Sequence, residues 1–180
     1  NDIKCPDLQH EFYPLSSLIQ GEKSNFGGGF MFSMGLMRPK SKGLIRLKSA
    51  NPRDKPEIRY NFLSSNYDIK VLTQGLRKTR EIAQQKAFKN LKTNEITPGA
   101  SVTSDQEVHS WLKNSASTEY HPSSSCRMGI DDNSVTNQVG LVHNTEALRI
   151  VDASIMRSNV TANLNVPVLM IAEKISAALS

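Results

Sequence analysis

The sequence predicts an α+β protein with antiparallel strand pairing, on three observations. In "GLIRLKS", Ile45 and Leu47 alternate with Arg46 and Lys48, the two-residue period of a half-buried strand. "NPRDKP" then turns the chain, with Pro52 and Pro56 as breakers, and "EIRYNFL" follows as a second strand beside the first. From Asp68 to Phe88 the period lengthens: Ile69, Leu72, Leu76, Ala83 and Ala87 recur every three to four residues, as on one face of a helix.

The remaining elements follow from the same reading. Residues 1–37 are loop-like, with "EFYPLSSLI" a candidate strand, and the Met residues of "NFGGGFMFSMGLM" suit an irregular core. Asp68 is placed to cap the long helix, while Lys70, Arg77, Lys78 and Lys86 lie off its apolar face and should be solvated. "SDQEVHSWL" opens with Ser104 and Glu107 at capping-box spacing and should bury Val108, Trp111 and Leu112, leaving His109 a structural neighbour. "GIDDNSVTNQVG" reads as a turn-rich linker and "ALRIVDAS" as a short strand ending at Asp152. "VPVLMIAEKISAALS" is the last helix, with Asn165 placed as its N-cap and Pro167 in its first turn.

Composition narrows the function classes. The 180-residue chain is 38% hydrophobic and 22% charged, ordinary values for a globular protein. It lacks an initiator Met and a secretory leader, so the expectation is a fragment or processed product that is not secreted. Two cysteines, Cys5 and Cys126, cannot build a disulfide framework, which points to a reducing compartment. "VPVLMIA" is too short to span a bilayer, which leaves peripheral membrane association open. Residues 1–100 hold 17 Lys/Arg against 9 Asp/Glu, and residues 101–180 hold 5 against 8. The basic stretch "RPKSKGLIRLKSANPRDKPEIR" has no stacking aromatic, so a solvated strand face is favoured and no nucleic-acid partner is expected. Neither GxGxxG nor GxxxxGK[ST] occurs, and Gly27 to Gly29 do not form a phosphate loop.

The chemistry-bearing stretch is "STEYHPSSSCRMG". Cys126 with His121 or His143 and an Asn would suit a thiol hydrolase, Arg127 favouring the thiolate. His121, Cys126 and His143 lack repeated ligand spacing, so metal binding carries little weight and no metal is expected. A flavin-free binding module is the third alternative. Asn163-Leu164-Asn165 before a helix has electrostatic meaning, because a helix N-terminus stabilises an anion such as phosphate or a reduced flavin ring.

"YHPSSSCRMG", "LRIVDASIM", "NLNVP" and "MIAEKI" together resemble the C-terminal part of the glucose–methanol–choline (GMC) family of flavin oxidoreductases. Within it, "LTQGLRKTREIAQQKAF", "EITPG", "DQEVHSWL" and "LVHNTEALRIVDASIM" are most similar to its choline-oxidising members. The resemblance runs from about residue 6 to the end, with several motifs in the family's order. It implies flavin adenine dinucleotide (FAD) as cofactor and an antiparallel sheet over the flavin with helices on one side. A C-terminal strand and helix would return to the FAD-binding domain. Residues 1–140 would then be a portion of the substrate domain and 141–180 the return segment, the Rossmann-like N-terminal domain being absent from this chain.

The resemblance also implies roles. His121 matches the family's active-site His, and Asn165 the partner position. Asp152 and Ala153 match a segment touching the cofactor, and Val166 and Pro167 the turn facing the flavin's pyrimidine end. The implied reaction oxidises a small alcohol, choline to betaine aldehyde, with His121 accepting the hydroxyl proton; another primary alcohol is the alternative substrate. An unperturbed imidazole titrates near pH ~6.5 and so can accept a proton at neutral pH. Pro122 restricts His121 to extended backbone. The implied location is bacterial cytoplasm or inner-membrane surface, or a mitochondrion. Arg157 and Ala162 depart from the family's usual Pro and Gly.

Overall fold

A computed structural model describes residues 5–14, 29–91 and 94–179. Contacts divide the chain into two compact units, one of Asn1–Lys42 with Asn61–Ser117, the other of Gly43–Tyr60 with Thr118–Ser180.

The first unit is built on two antiparallel strands, β1 (Leu8–Tyr13) and β2 (Met31–Leu36), in register from Leu8 opposite Leu36 to Tyr13 opposite Met31. Pro14 follows β1; the rest of the stretch expected as strand, and Gly27 and Gly28, lie outside the described residues. Helix α1 (Asn66–Ala83) packs on both strands and on helix α2 (Asp105–Ser115). Its apolar stripe supplies Leu72 and Leu76 to the core, where α2 adds Val108 and Leu112 and where Leu8, Met34, Leu36 and Trp111 pack around them. Gly75 lets the helix lie close, since a Cβ there would come within 2.7 Å of Leu8 Cδ2. Four phenylalanines, Phe12, Phe30, Phe32 and Phe88, sit with centroids 5.4 to 5.9 Å apart.

Asp68 does not cap α1 as expected. Ser65 holds the cap, accepting from the Tyr67 N–H, and Asp68 lies in the first turn, 1% exposed. Its two carboxylate oxygens instead accept the Lys40 and Ser41 N–H groups, each at 2.8 Å. The Ser65 N–H donates to Ser41 Oγ at 3.1 Å, and Asn61 donates to the Lys42 carbonyl at 3.0 Å. These bonds pin together both ends of the excursion that carries residues 43–60. The long helix also stops early, at Ala83, because Gln85 turns extended before a short 3₁₀ turn at Lys86–Phe88. Lys70, Arg77, Lys78 and Lys86 are exposed as expected. The Ser104–Glu107 capping box on α2 is complete, both reciprocal bonds being made.

The second unit contains the antiparallel pair β3 (Leu44–Arg46) and β4 (Glu57–Arg59), with Ile45 opposite Ile58. The half-buried strand expected here is instead open to solvent: Ile45 is 56% and Ile58 52% exposed. Alternation reports which side chains share a face, and among the described residues nothing covers that face. "GIDDNSVTNQVG" is no linker either. It folds back through bridges Met128–Thr136, Thr136–Val142 and Leu141–Arg149, and Thr136 is fully buried, its hydroxyl donating to the Cys126 carbonyl at 3.1 Å. Gly140 makes this turn at φ +73°, where a Cβ would lie 2.5 Å from the Ile150 carbonyl. "ALRIVDAS" keeps one bridge, at Arg149, and ends in a 3₁₀ turn at Ala153–Ile155. Helix α3 (Asn165–Ala177) closes the chain. Among the described residues no helix is long and apolar enough to cross a membrane.

Candidate functional site

His121 is half-buried between two residues of unusual backbone. Tyr120 (φ +61°) and Ser124 (φ +71°) both occupy the left-handed region, which L side chains other than Asn and Asp rarely adopt. The Tyr120 N–H donates to Thr118 Oγ1 at 2.9 Å, a local turn that supports the first kink. Pro122 constrains the other side. Backbone forced into a costly region around a titratable side chain is a mark of a functional loop.

What over-determines the loop is the segment after Asp152. Ser124 donates to the Ala153 carbonyl at 3.3 Å, Cys126 to Ser154 at 2.9 Å and Met128 to Ile155 at 2.8 Å. Ile155 is fully buried and Met156 nearly so, which anchors that segment. Asp152 caps its 3₁₀ turn, Oδ1 accepting the Ser154 N–H at 2.7 Å and hydroxyl at 2.5 Å. Farther along, the Ser123 hydroxyl donates to the Asn159 carboxamide oxygen. His121, Asp152, Ala153, Asn165, Val166 and Pro167 therefore all belong to one compact unit, and main-chain bonds join the first of these segments to the second.

Asn165 is not the N-cap of α3. Leu164 occupies that position with helical backbone (φ −79°, ψ −8°), and no side chain caps the helix. Leu164 is buried, so core packing sets where the helix starts. Asn165 becomes the first helical residue, and it and Val166 are exposed at the positive end of the helix, with Pro167 half-buried. Asn163, a second carboxamide, stands exposed two residues earlier.

The thiol arrangement loses its electrostatic support. The Arg127 guanidinium, expected to favour a Cys126 thiolate, is held by both carboxylate oxygens of Asp131, at 2.9 and 2.5 Å. His143 Nε2 bonds the Gly129 carbonyl at 3.0 Å, and since a carbonyl only accepts, that nitrogen carries the proton. Among the described residues no three of His, Cys, Asp and Glu gather as a metal-binding group. The Arg127 hydrogen bond pulls the Asp131 carboxyl down to about 2, and the Asn133 N–H adds to the effect. A carboxyl depressed on folding contributes stability above its unfolded value of ~3.9 and loses it as pH falls toward 2. The Asp131 carboxyl resonance should accordingly titrate near 2 by NMR, and Arg127→Ala should raise it toward the ordinary carboxylate range. A midpoint near 4 in the unmodified protein would mean that the pair does not persist in solution.

The comparisons with known proteins bear on this geometry. A family model described as GMC oxidoreductase matches residues 39–172. The chain belongs to that family. This GMC oxidoreductase chain is 42% identical over 175 residues to a protein named oxygen-dependent choline dehydrogenase from Pseudomonas fluorescens (strain SBW25). It is 44% identical over 174 residues to one of the same name from Pseudomonas aeruginosa (strain LESB58). Each match covers 97% of this chain and 31% of the relative, so the chain spans about a third of those proteins. In fold it is similar to pyridoxine 4-oxidase from Mesorbium loti, with TM-score 0.89 and 23% identity, covering 96% of this chain and 34% of that one. Formate oxidase from Aspergillus oryzae RIB40 gives TM-score 0.89 and 24% identity, over 97% of this chain and 31% of that one. The α+β class with antiparallel strands and helices is therefore the architecture of this part of a GMC oxidoreductase.

The sequence held signals for some of these features and none for others. Arg127 and Asp131 stand four apart, but outside a helix that spacing does not bring two side chains together, and the pair had no sequence signal. Nothing in Tyr120, Ser123, Ser124 or Asn159 as residue types announces a kinked loop tied to a distant one.

Proposed function

We propose that this chain is the C-terminal portion of an FAD-dependent alcohol dehydrogenase that oxidises choline to betaine aldehyde, with His121 as proton acceptor. The carrying observation is the His121 loop, bent at Tyr120 and Ser124 and bonded to Ala153–Ile155. Family membership and the choline dehydrogenase relatives support the reaction class and the substrate.

The residues present fit a flavin in one respect that this structure itself supplies. Helix α3 starts without a side-chain cap, with Asn165 and Val166 exposed, so its positive end is free for an anionic ring edge. Val166 and Pro167 would hold that edge, and the Asp152-Ala153 segment would contact the remainder of the cofactor. When bound, the flavin supplies the two-electron acceptor for the substrate's hydride. His121 takes the hydroxyl proton, a role typically worth roughly 10²–10⁴-fold. The Asn165 carboxamide donates to the same oxygen and holds it in line.

Choline adds a permanent cation. Tyr120, 80% exposed and adjacent to His121, offers an aromatic face to a trimethylammonium group. Trp111 is packed against the core of the first unit. In the full-length enzyme, choline should surpass its neutral isostere 3,3-dimethylbutan-1-ol in kcat/KM by about tenfold, the scale of a desolvated cation–π contact. Equal values would make this a general alcohol dehydrogenase. A purified full-length protein without flavin, or a flavin that no alcohol reduces, would overturn the reading altogether.

A further inference from the structure

We propose that Asn159 is a positioning residue for His121, acting through Ser123; the inference rests on the role of His121 proposed above. The ladder that fixes the His loop begins only at Ser124, with its bond to Ala153. His121 lies beyond the end of that ladder, and Pro122 between them has no N–H to extend it. Ser123 stands at this open end, and its hydroxyl donates to Asn159 Oδ1.

Proton accounting gives the bond a direction. Ser123 and Ser124 hydroxyl oxygens are 3.0 Å apart. A hydroxyl has one hydrogen, so once Ser123 gives its own to Asn159, Ser124 must donate to Ser123. The chain Ser124 to Ser123 to Asn159 thus orders the kinked Ser124 and ends on an acceptor in another segment. Ser123 and Asn159 are both half-buried, where exchange of this bond for water is disfavoured. Asn159 belongs to residues 156–164, the stretch between the buried 3₁₀ turn and α3. One side chain therefore couples the backbone two residues past the proton acceptor to the loop leading to Asn165.

The test is made in the flavin-loaded full-length enzyme, with choline as substrate and flavin content and thermal midpoint recorded for every variant. Asn159→Leu and Ser123→Ala should each lower kcat about tenfold, the loss of one hydrogen bond, with KM changed less than about twofold. The double variant should lose no more than either single one, because both remove the same bond. Asn159→Asp, which can only accept, should restore kcat to within about twofold of the parent. Should Asn159→Leu fail to fold, Ser123→Ala carries the same reading. The proposal is overturned by unchanged kcat in Ser123→Ala, by additive losses, or by a failure of Asn159→Asp to rescue. His121→Ala separates the two levels: if it abolishes turnover while these variants are unaffected, only the positioning role fails, and if it too is active, the reading of His121 fails.

Discussion

His121→Ala in the full-length enzyme is expected to lower kcat at least about a hundredfold, or about 2.7 kcal/mol in the barrier, while flavin stays bound. Hydride loss from an alcohol carbon is slow unless the hydroxyl proton leaves with it, and the variant leaves only water as acceptor. Stopped-flow flavin reduction reads the step directly, apart from reoxidation and product release. His143 donates its Nε2–H to the Gly129 carbonyl, and His10 is bonded to the Gly75 carbonyl in the first unit at 3.3 Å. Left-handed backbone at Tyr120 and Ser124 flanks His121. Asn165→Ala should lose less, about tenfold, since a hydrogen-bond donor is removed and the base remains. Asn163→Ala is its natural control; a greater loss there would move the orienting role two residues earlier. Unchanged flavin reduction in His121→Ala would end its assignment as proton acceptor.

Asp68→Ala is expected to cost about 3 kcal/mol of stability. Both carboxylate oxygens are in use, one on the Lys40 N–H and one on the Ser41 N–H, and the side chain is shut off from water. Alanine orphans two backbone donors and removes an anion from the first turn of α1, a position where the helix dipole favours negative charge. Asn is a poor substitute here. Its one carbonyl oxygen can meet one N–H, and its NH₂ group then faces the other donor, so Asp68→Asn should lose nearly as much. Urea unfolding measures both variants. A cost below about 1 kcal/mol for Asp68→Ala would mean that water enters and replaces the carboxylate. Asp68, Ser41 and Asn61 together close the base of the 43–60 excursion.

Helix positions, the α2 capping box and the β3–β4 pairing were legible because each rests on neighbours within a few residues. Ile69, Leu72 and Leu76 repeat along one turn after another, and Ser104 and Glu107 satisfy each other's backbone. Capping of α1 and α3 was misjudged for a common reason. Asp68 and Asn165 are good caps in isolation, but Asp68 has partners 27 and 28 residues away, and burial of Leu164 sets the start of α3. The exposed Ile45 and Ile58 mark the opposite limit, since alternation names a face without naming what covers it.

By itself the sequence determined the α+β class, the antiparallel pairing and, through "YHPSSSCRMG" with "NLNVP", the family and the candidate residues. The class and the pairing follow from local periodicity, which the chain carries wherever it folds, whereas the family and the candidate residues rest on the resemblance of those motifs. Only the tertiary structure decided how those residues are held. It put Tyr120 and Ser124 into left-handed backbone, bound Ser124 to Ala153 and Ser123 to Asn159, and committed Arg127 to Asp131 rather than to Cys126. The Ser124–Ala153 and Ser123–Asn159 bonds join segments about 30 residues apart, beside the buried Ile155, and no local pattern encodes that meeting.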